Sequence, residues 1–89
     1  MDISFTPKGW EDFSYWLQTD IEIVGKINSL IKDITRDPHR GLGKPEPLRG
    51  NLAGFWSRRI TGEHRIIYRV SGKHPDQILT IVQARFHYE

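Results

Sequence analysis

Few side chains in this sequence can act as a nucleophile, a general acid or a general base. The 89 residues contain no cysteine, which excludes a thiol nucleophile and a thiolate metal site. The run GLGKPEP continues into proline instead of Lys-Ser or Lys-Thr, which argues against a nucleotide-binding loop. A zinc site needs closer spacing than that of the four histidines, His39, His64, His74 and His87. We therefore expect neither a metal nor a cofactor.

The remaining polar residues fit one reaction, the metal-independent cleavage of RNA. RNA carries its own nucleophile, the 2′-hydroxyl. The protein must remove that proton, protonate the leaving 5′-oxygen and neutralise the phosphate between them. A carboxylate or histidine can be the base, a histidine the acid and an arginine the clamp. Such a set is supplied by Glu46, Arg65 and His87, with Arg59 and Tyr88 beside them.

Each of these residues also has a simpler interpretation. Glu46 lies between two prolines in a loop, where most glutamates are merely solvated. Arg65 could pair with Glu63 or with Glu46, and His87 could be a frayed surface residue. Tyr88 could stack on a base or cap the core. The residue types alone leave these alternatives open.

The charge of the chain is divided unevenly along the sequence. Residues 1–35 hold three lysines against six carboxylates, whereas residues 36–89 hold ten lysines and arginines against five carboxylates. A basic face on a small domain suggests an anionic partner, RNA or DNA being the usual candidates. A solvated charged surface explains the same balance equally well.

The spacing of apolar residues predicts an α+β fold with the order β-α-α-β-β-β, in one domain spanning residues 1–89. Two N-terminal helices should pack on one face of a mainly antiparallel, twisted sheet. Proline and glycine dominate residues 38–54, for which we predict a loop. The predicted strands are 2–5, 55–61, 64–71 and 78 to about 87, and the predicted helices are 7 to about 18 and 21 to about 36.

Strand alternation predicts where the basic side chains lie. In the last strand, Ile78, Thr80, Val82, Ala84 and Phe86 should share one face, with Leu79, Ile81, Gln83, Arg85 and His87 on the other. In the strand before it, Arg65, Ile67 and Arg69 should oppose His64, Ile66, Tyr68 and Val70. One face of each strand is apolar enough to meet the helices. If the polar sets share a side, the sheet presents a concave basic surface that carries Arg65, Arg69, Arg85 and His87.

No stretch approaches the length of a membrane-spanning helix, and the N-terminal MDISFTPKGW lacks the layout of a signal peptide. We therefore expect a cytoplasmic protein.

Four stretches of the sequence match one known family. They are WEDFSYWLQTD at 10–20, KINSLIKD at 26–33, GKPEPLRGNLAGFWSRRITGEHRIIYRV at 43–70 and the terminal ARFHYE. The motifs are long and specific, and together they cover essentially the whole chain. The sequence resembles the YoeB toxins of the RelE/ParE superfamily.

The resemblance implies a RelE-like microbial RNase fold and a type II toxin–antitoxin system. It implies ribosome-dependent cleavage of mRNA, a YefM-like antitoxin and a toxin that can act as a homodimer. By position, Glu46 becomes the general base, Arg65 the stabiliser of the phosphorane and His87 the general acid. Tyr88 would help to position the substrate. The implied contacts to the RNA backbone are Lys44, Arg58 and Arg59.

Two other functions stay open at this point. A degenerate relative could bind RNA or the antitoxin without cleaving, and a corepressor could act on operator DNA through its antitoxin. The second role is compatible with the nuclease. The presence of Glu46, Arg65 and His87 together favours cleavage over mere binding.

Overall fold

The computed structural model describes residues 1–86, so His87 and Tyr88 lie outside the described part of the chain. Two helices follow a short first strand and precede four further strands. In chain order the elements are β1 (Asp2–Phe5), α1 (Pro7–Thr19), α2 (Ile21–Arg36), β2 (Glu46–Pro47), a 3-10 turn (Gly50–Leu52), β3 (Trp56–Arg59), β4 (Arg65–Ser71) and β5 (Ile78–Gln83).

Both helices begin at the residues that the sequence indicates. The Thr6 hydroxyl accepts a hydrogen bond from the Gly9 N–H, and Pro7 occupies the first turn, where its missing N–H costs nothing. The Asp20 carboxylate caps α2 by accepting from the first backbone N–H groups of that helix. Gly9 also allows α1 to lie directly on the sheet, because a Cβ there would collide with the carbonyl oxygen of Ile81.

The five strands form one sheet in the order β1-β5-β4-β3-β2. β1 runs parallel to β5, and the other three neighbours are antiparallel. The mainly antiparallel α+β architecture predicted from the sequence is therefore confirmed. Within the predicted loop 38–54, however, residues 46–47 form β2 and residues 50–52 form the 3-10 turn. In this short strand Glu46 pairs with Ser57 of β3. The Leu48 N–H extends the pairing by donating to the Phe55 carbonyl.

The core lies between the helices and one face of the sheet. Its fully buried members include Ile27 and Ile34 from α2, Tyr68 from β4, and Leu79 and Ile81 from β5. This arrangement confirms that the helices pack on one face of the sheet and that the set with Ile66 and Tyr68 is the helix-facing side of β4. We call the opposite face of the sheet, away from the helices, the open face.

The predicted division of β5 is wrong. Leu79 and Ile81 face the helices, since they lie opposite Val70 and Tyr68 of the core, whereas Ile78 is exposed. A bulge then interrupts the alternation, because Ile81 lies opposite Tyr68 but Gln83 lies opposite Ile67. The extra residue turns Gln83 to the open face, so one alternation cannot describe the whole strand.

The end of β5 also differs from the prediction. The strand stops at Gln83 instead of running to about residue 87. Two side chains of α1 form the hydrogen bonds of the Ala84 backbone. The Asp12 carboxylate accepts from its N–H at 3.0 Å, and the Trp16 indole N–H donates to its carbonyl at 2.8 Å. Arg85 consequently lies over the ring of Tyr15 in α1, with Cζ 3.5 Å from the centroid, and not on the open face.

Candidate active site

A row of four side chains crosses the open face of the sheet. Glu46 of β2 pairs with Ser57 of β3, Ser57 with Ile67 of β4, and Ile67 with Gln83 of β5. Partners in a sheet register project to the same face, and Ser57 projects away from the helices because its neighbour Arg58 contacts α2. Ser57 and Ile67 are buried and form the floor, while Glu46 is exposed at the rim.

Arg59 and Arg65 form the next row on the same face. They lie directly opposite each other in the β3–β4 pairing, two residues along from Ser57 and Ile67 respectively. The structure therefore brings Glu46, Arg59 and Arg65 to one region of the open face. A carboxylate and two guanidinium groups on neighbouring rows of one sheet face can together bind a phosphate and take a proton near it.

The Arg65 guanidinium is held in a fixed direction by the turn between β3 and β4. Its Nη1 donates to the carbonyl oxygens of Thr61, Gly62 and His64 at 2.9, 3.2 and 3.0 Å. Within residues 1–86, no hydrogen bond is recorded for Nε or Nη2 of Arg65. One end of the group is thus anchored, and the other can receive an anion.

The segment before Glu46 is held against the end of β3. The Arg59 N–H donates to the Gly43 carbonyl at 2.6 Å, and Gly43 has a φ of +79° that favours glycine. Lys44 follows with a φ of 53°, a left-handed conformation unusual for a residue with a side chain. Its side chain is exposed, as that of a predicted contact to the RNA backbone must be.

Arg58 does not lie where the sequence-based prediction places it. Its side chain is fully buried and donates to the Asp33 carboxylate at 2.6 Å and to the Tyr68 hydroxyl at 3.1 Å. It also donates to three backbone carbonyls of the loop that follows α2, those of Asp37, Arg40 and Leu42. A guanidinium with five protein partners cannot contact RNA from the open face. We therefore assign Arg58 to the structure of the loop.

Asp33 is the anionic centre of this buried network. The Leu42 N–H and then the Arg58 guanidinium lower the pKa of its carboxyl from 3.8 to about 2. The pKa of Asp37 is lowered as well, chiefly by the N–H of His39. Burial raises the pKa of the Tyr68 phenol, whose hydroxyl donates to the Pro38 carbonyl at 2.6 Å. At neutral pH the network is charged and fixes residues 37–42.

His64 is a positioning residue that the sequence interpretation missed. Its side chain is buried against Trp16, and its Nδ1 accepts from the Phe86 N–H at 2.8 Å. The Phe86 carbonyl in turn accepts from the Arg65 N–H at 3.0 Å. These two hydrogen bonds fix the backbone of Phe86, the last described residue, next to the backbone of Arg65. The signal in the sequence is that His64 immediately precedes Arg65 in the motif EHR.

A groove of about 550 Å³ lies beside this region, between α2 and the end of β3. Its lining includes Leu30 of α2, Leu42 of the loop, and Arg59 and Ile60. The groove meets the candidate site only through Arg59, and the floor formed by Ser57 and Ile67 is not part of its lining. Among the described residues, no helix is long and apolar enough to cross a membrane.

Comparison with known proteins decides the family. The profile of the YoeB-like toxin of bacterial type II toxin–antitoxin systems matches residues 5–88. The chain belongs to this YoeB-like toxin family. Toxin YoeB of Streptomyces coelicolor is 53% identical over 88 residues, which cover 99% of this chain and all of the relative. Toxin YoeB of Escherichia coli K12 is 52% identical with the same coverage.

Solved structures of YoeB proteins share the fold closely. The YoeB/ParE toxin from Agrobacterium tumefaciens superposes with a TM-score of 0.97 at 53% identity, covering 99% of this chain and 100% of that one. YoeB from Staphylococcus aureus, solved as a dimer, gives 0.86 at 43% identity, with 99% and 98% covered. The same toxin in a heterotetrameric complex with YefM gives 0.87, with the same identity and coverage.

The likeness extends to a more distant toxin. The RelBE2 toxin–antitoxin complex from Mycobacterium tuberculosis matches with a TM-score of 0.71 at 25% identity, covering 97% of this chain and 96% of that one. The RelE-like fold expected from the sequence is thereby confirmed.

Proposed function

We propose that this YoeB-like toxin is an endoribonuclease that cuts mRNA on the ribosome and so inhibits translation, without a metal ion. The observation that carries the proposal is the placement of Glu46, Arg59 and Arg65 on one region of the open face, with Phe86 held at Arg65. His87 follows Phe86 directly in the sequence. In this proposal the base, the clamp and the acid that follows Phe86 in the sequence belong to one site.

In this mechanism Glu46 removes the proton of the RNA 2′-hydroxyl, and the resulting oxygen attacks the adjacent phosphorus. The guanidinium of Arg65 neutralises the charge that develops on the phosphate oxygens, because its Nη1 end is anchored and its remaining donors can face the anion. His87 protonates the leaving 5′-oxygen. The products are a cyclic phosphate and a 5′-hydroxyl.

Three further residues bind substrate in the proposal. Arg59 lies opposite Arg65 and supplies a second cation for the phosphate backbone. Lys44 is exposed two residues before Glu46 and contacts a neighbouring phosphate. Tyr88 positions the nucleotide at the cleavage point.

We also propose the partners of this chain by analogy with the YoeB structures. An antitoxin of the YefM type would bind the toxin, and two toxin chains would form a homodimer. Operator DNA would be contacted only through the antitoxin complex. An acidic antitoxin segment that folds onto the basic open face would explain inhibition, because it would occupy Arg59 and Arg65. We propose that the protein acts in the cytoplasm, where ribosomes and operator DNA are found.

The test of the proposed chemistry is primer extension on an mRNA translated by purified ribosomes. Glu46→Gln and His87→Gln should each reduce cleavage about 100-fold or more, since a proton-transfer group contributes roughly 10²–10⁴-fold. Glu11→Gln is the matched control, because Glu11 is an exposed glutamate on α1, behind the sheet and away from the site. Full cleavage by both variants would refute the site. Binding of mRNA or antitoxin by the wild type without any cleavage would support a mere binding module.

A further inference from the structure

A second cationic feature lies on the open face, farther along β4. Arg69 projects away from the helices, since its neighbours Tyr68 and Val70 pack in or against the core. Phe55 immediately precedes β3, and its ring lies under the Arg69 side chain. The guanidinium carbon of Arg69 is 5.5 Å from the centre of this ring. Arg69 is exposed, and Phe55 is half-buried.

The surroundings of Arg69 leave its charge available. Within residues 1–86, no salt bridge or hydrogen bond of the Arg69 side chain is recorded. Its partner in β5 is Thr80, and the partner of Thr80 in β1 is Ser4, so the neighbours on this row are neutral. A guanidinium that lies over an aromatic ring keeps its N–H edge directed outward, where it can donate to a phosphate.

The position of Arg69 relative to Arg65 suggests what it binds. The two residues are four apart on β4, which separates them by about 13 Å along the strand. Along one strand of a B-form duplex, successive phosphates advance about 3.4 Å along the axis, and a more extended single strand covers a longer distance per nucleotide. A single RNA strand with one phosphate at Arg65 therefore reaches Arg69 with another phosphate a few nucleotides away.

We propose that Arg69 and Phe55 form a second RNA-binding subsite, which takes the phosphate and base of a nucleotide outside the cleavage point. The guanidinium binds the phosphate while the Phe55 ring beneath holds it in place, and the base of that nucleotide packs beside the ring. The inference rests on the proposed ribonuclease function and adds the path of the strand, along β4 from Arg65 towards Ser71. If the patch instead bound a partner of another class, loss of Arg69 would not weaken the binding of long RNA more than that of short RNA.

The experiment measures binding, so that it does not depend on cleavage. The probes are a fluorescein-labelled dodecanucleotide and a trinucleotide of single-stranded RNA, both fully 2′-O-methylated and therefore resistant to attack by the 2′-oxygen. Fluorescence anisotropy gives Kd over a range of salt concentrations for wild type, Arg69→Ala and Arg69→Lys. Lys32→Ala is the matched control, because Lys32 is an exposed cation on α2, behind the sheet.

Arg69→Ala should weaken binding of the dodecanucleotide about tenfold and reduce the slope of log Kd against log salt by about 0.7. Binding of the trinucleotide should be unchanged, and Arg69→Lys should retain the salt slope. Equal effects of Arg69→Ala and Lys32→Ala, or no effect of Arg69→Ala, would overturn the subsite. Cleavage of translated mRNA by the wild type is measured in parallel: its absence would count against the proposed function, whereas the subsite is judged by binding alone.

Discussion

Nη1 of Arg58 lies 2.6 Å from Oδ2 of Asp33, which joins β3 to α2 beneath the loop that leads to Glu46. The Arg58 side chain is fully buried, and its other donors bind loop carbonyls and the Tyr68 hydroxyl. Arg58 and Arg59 are adjacent in sequence yet serve opposite faces of the sheet. One fixes the loop from the core side, and the other faces the candidate site.

Loss of the Arg58 side chain should destabilise the fold and impair the site. Arg58→Met removes a fully buried guanidinium that binds the Asp33 carboxylate, the Tyr68 hydroxyl and three loop carbonyls, so we expect a loss of about 3 kcal/mol or more in the free energy of unfolding. Cleavage should also fall, since the loop before Glu46 loses its anchor. The control is Arg36→Met, which removes an exposed partner of the same Asp33 and should cost less than about 1 kcal/mol. Urea denaturation measures both, and equal losses would contradict the assigned role.

The Asp33 network makes stability depend on pH in the acid range. The folded-state pKa of Asp33 is about 2, below its ordinary 3.8, so its ionised form stabilises the fold above about pH 4. This contribution is lost as the pH falls through the folded-state value. The difference in stability between wild type and Asp33→Asn should therefore be constant from pH 7 to about pH 4 and shrink towards pH 2. A difference that stays constant down to pH 2 would argue against the charged network.

The end of β5 depends on Trp16. Trp16→Phe removes the indole N–H that binds the Ala84 carbonyl, so we expect a loss of about 1–3 kcal/mol. Cleavage should also decrease, because the segment after Ala84 leads to His87. Trp10→Phe is the matched control, since Trp10 is 52% exposed. Thermal unfolding and primer extension compare the two variants, and equal behaviour would show that the indole hydrogen bond has no special role.

His64 should act on cleavage through Phe86. His64→Asn keeps an acceptor near the position of Nδ1, whereas His64→Leu removes it at a similar side-chain size. Both variants lose the ring contact with Trp16, so both should be less stable than the wild type, and cleavage is measured at a temperature where both are folded. The cleavage rate, however, should fall more in His64→Leu, because the Phe86 N–H loses its acceptor. Identical rates in the two variants would remove His64 from the positioning of the site.

Local signals in the sequence were sufficient for most of the fold. The caps at Thr6 and Asp20 fix the starts of both helices, and the stripe from Ile27 to Ile34 fixes the buried face of α2. The bulge in β5 could not be predicted, because alternation carries no mark of an inserted residue. Strand β2 cannot be predicted, because it has only two residues, Glu46 and Pro47, and so shows no periodicity.

The site was predictable in type but only partly in geometry. The strand register places Glu46 and Arg65 on one face of the sheet, as a common role at one phosphate requires. His87 and Tyr88 lie outside the described residues, so their roles stay predictions. Arg58 and Arg59 look alike in sequence, and only their alternation in β3 separates a buried structural guanidinium from an exposed one. Alternation shows that the two side chains lie on opposite faces, and the tertiary contact with Asp33 of α2 shows that Arg58 is the buried one.

The most direct test of the central claim uses an mRNA with a single 2′-deoxy nucleotide at the mapped cleavage point, translated by purified ribosomes in the presence of the toxin. We expect cleavage of the unmodified message to give a cyclic phosphate and a 5′-hydroxyl. The deoxy substitution should abolish cleavage at that point, because the nucleophile of the proposed mechanism is absent. Cleavage at the deoxy position, or products with a 5′-phosphate, would contradict the mechanism assigned to Glu46, Arg65 and His87.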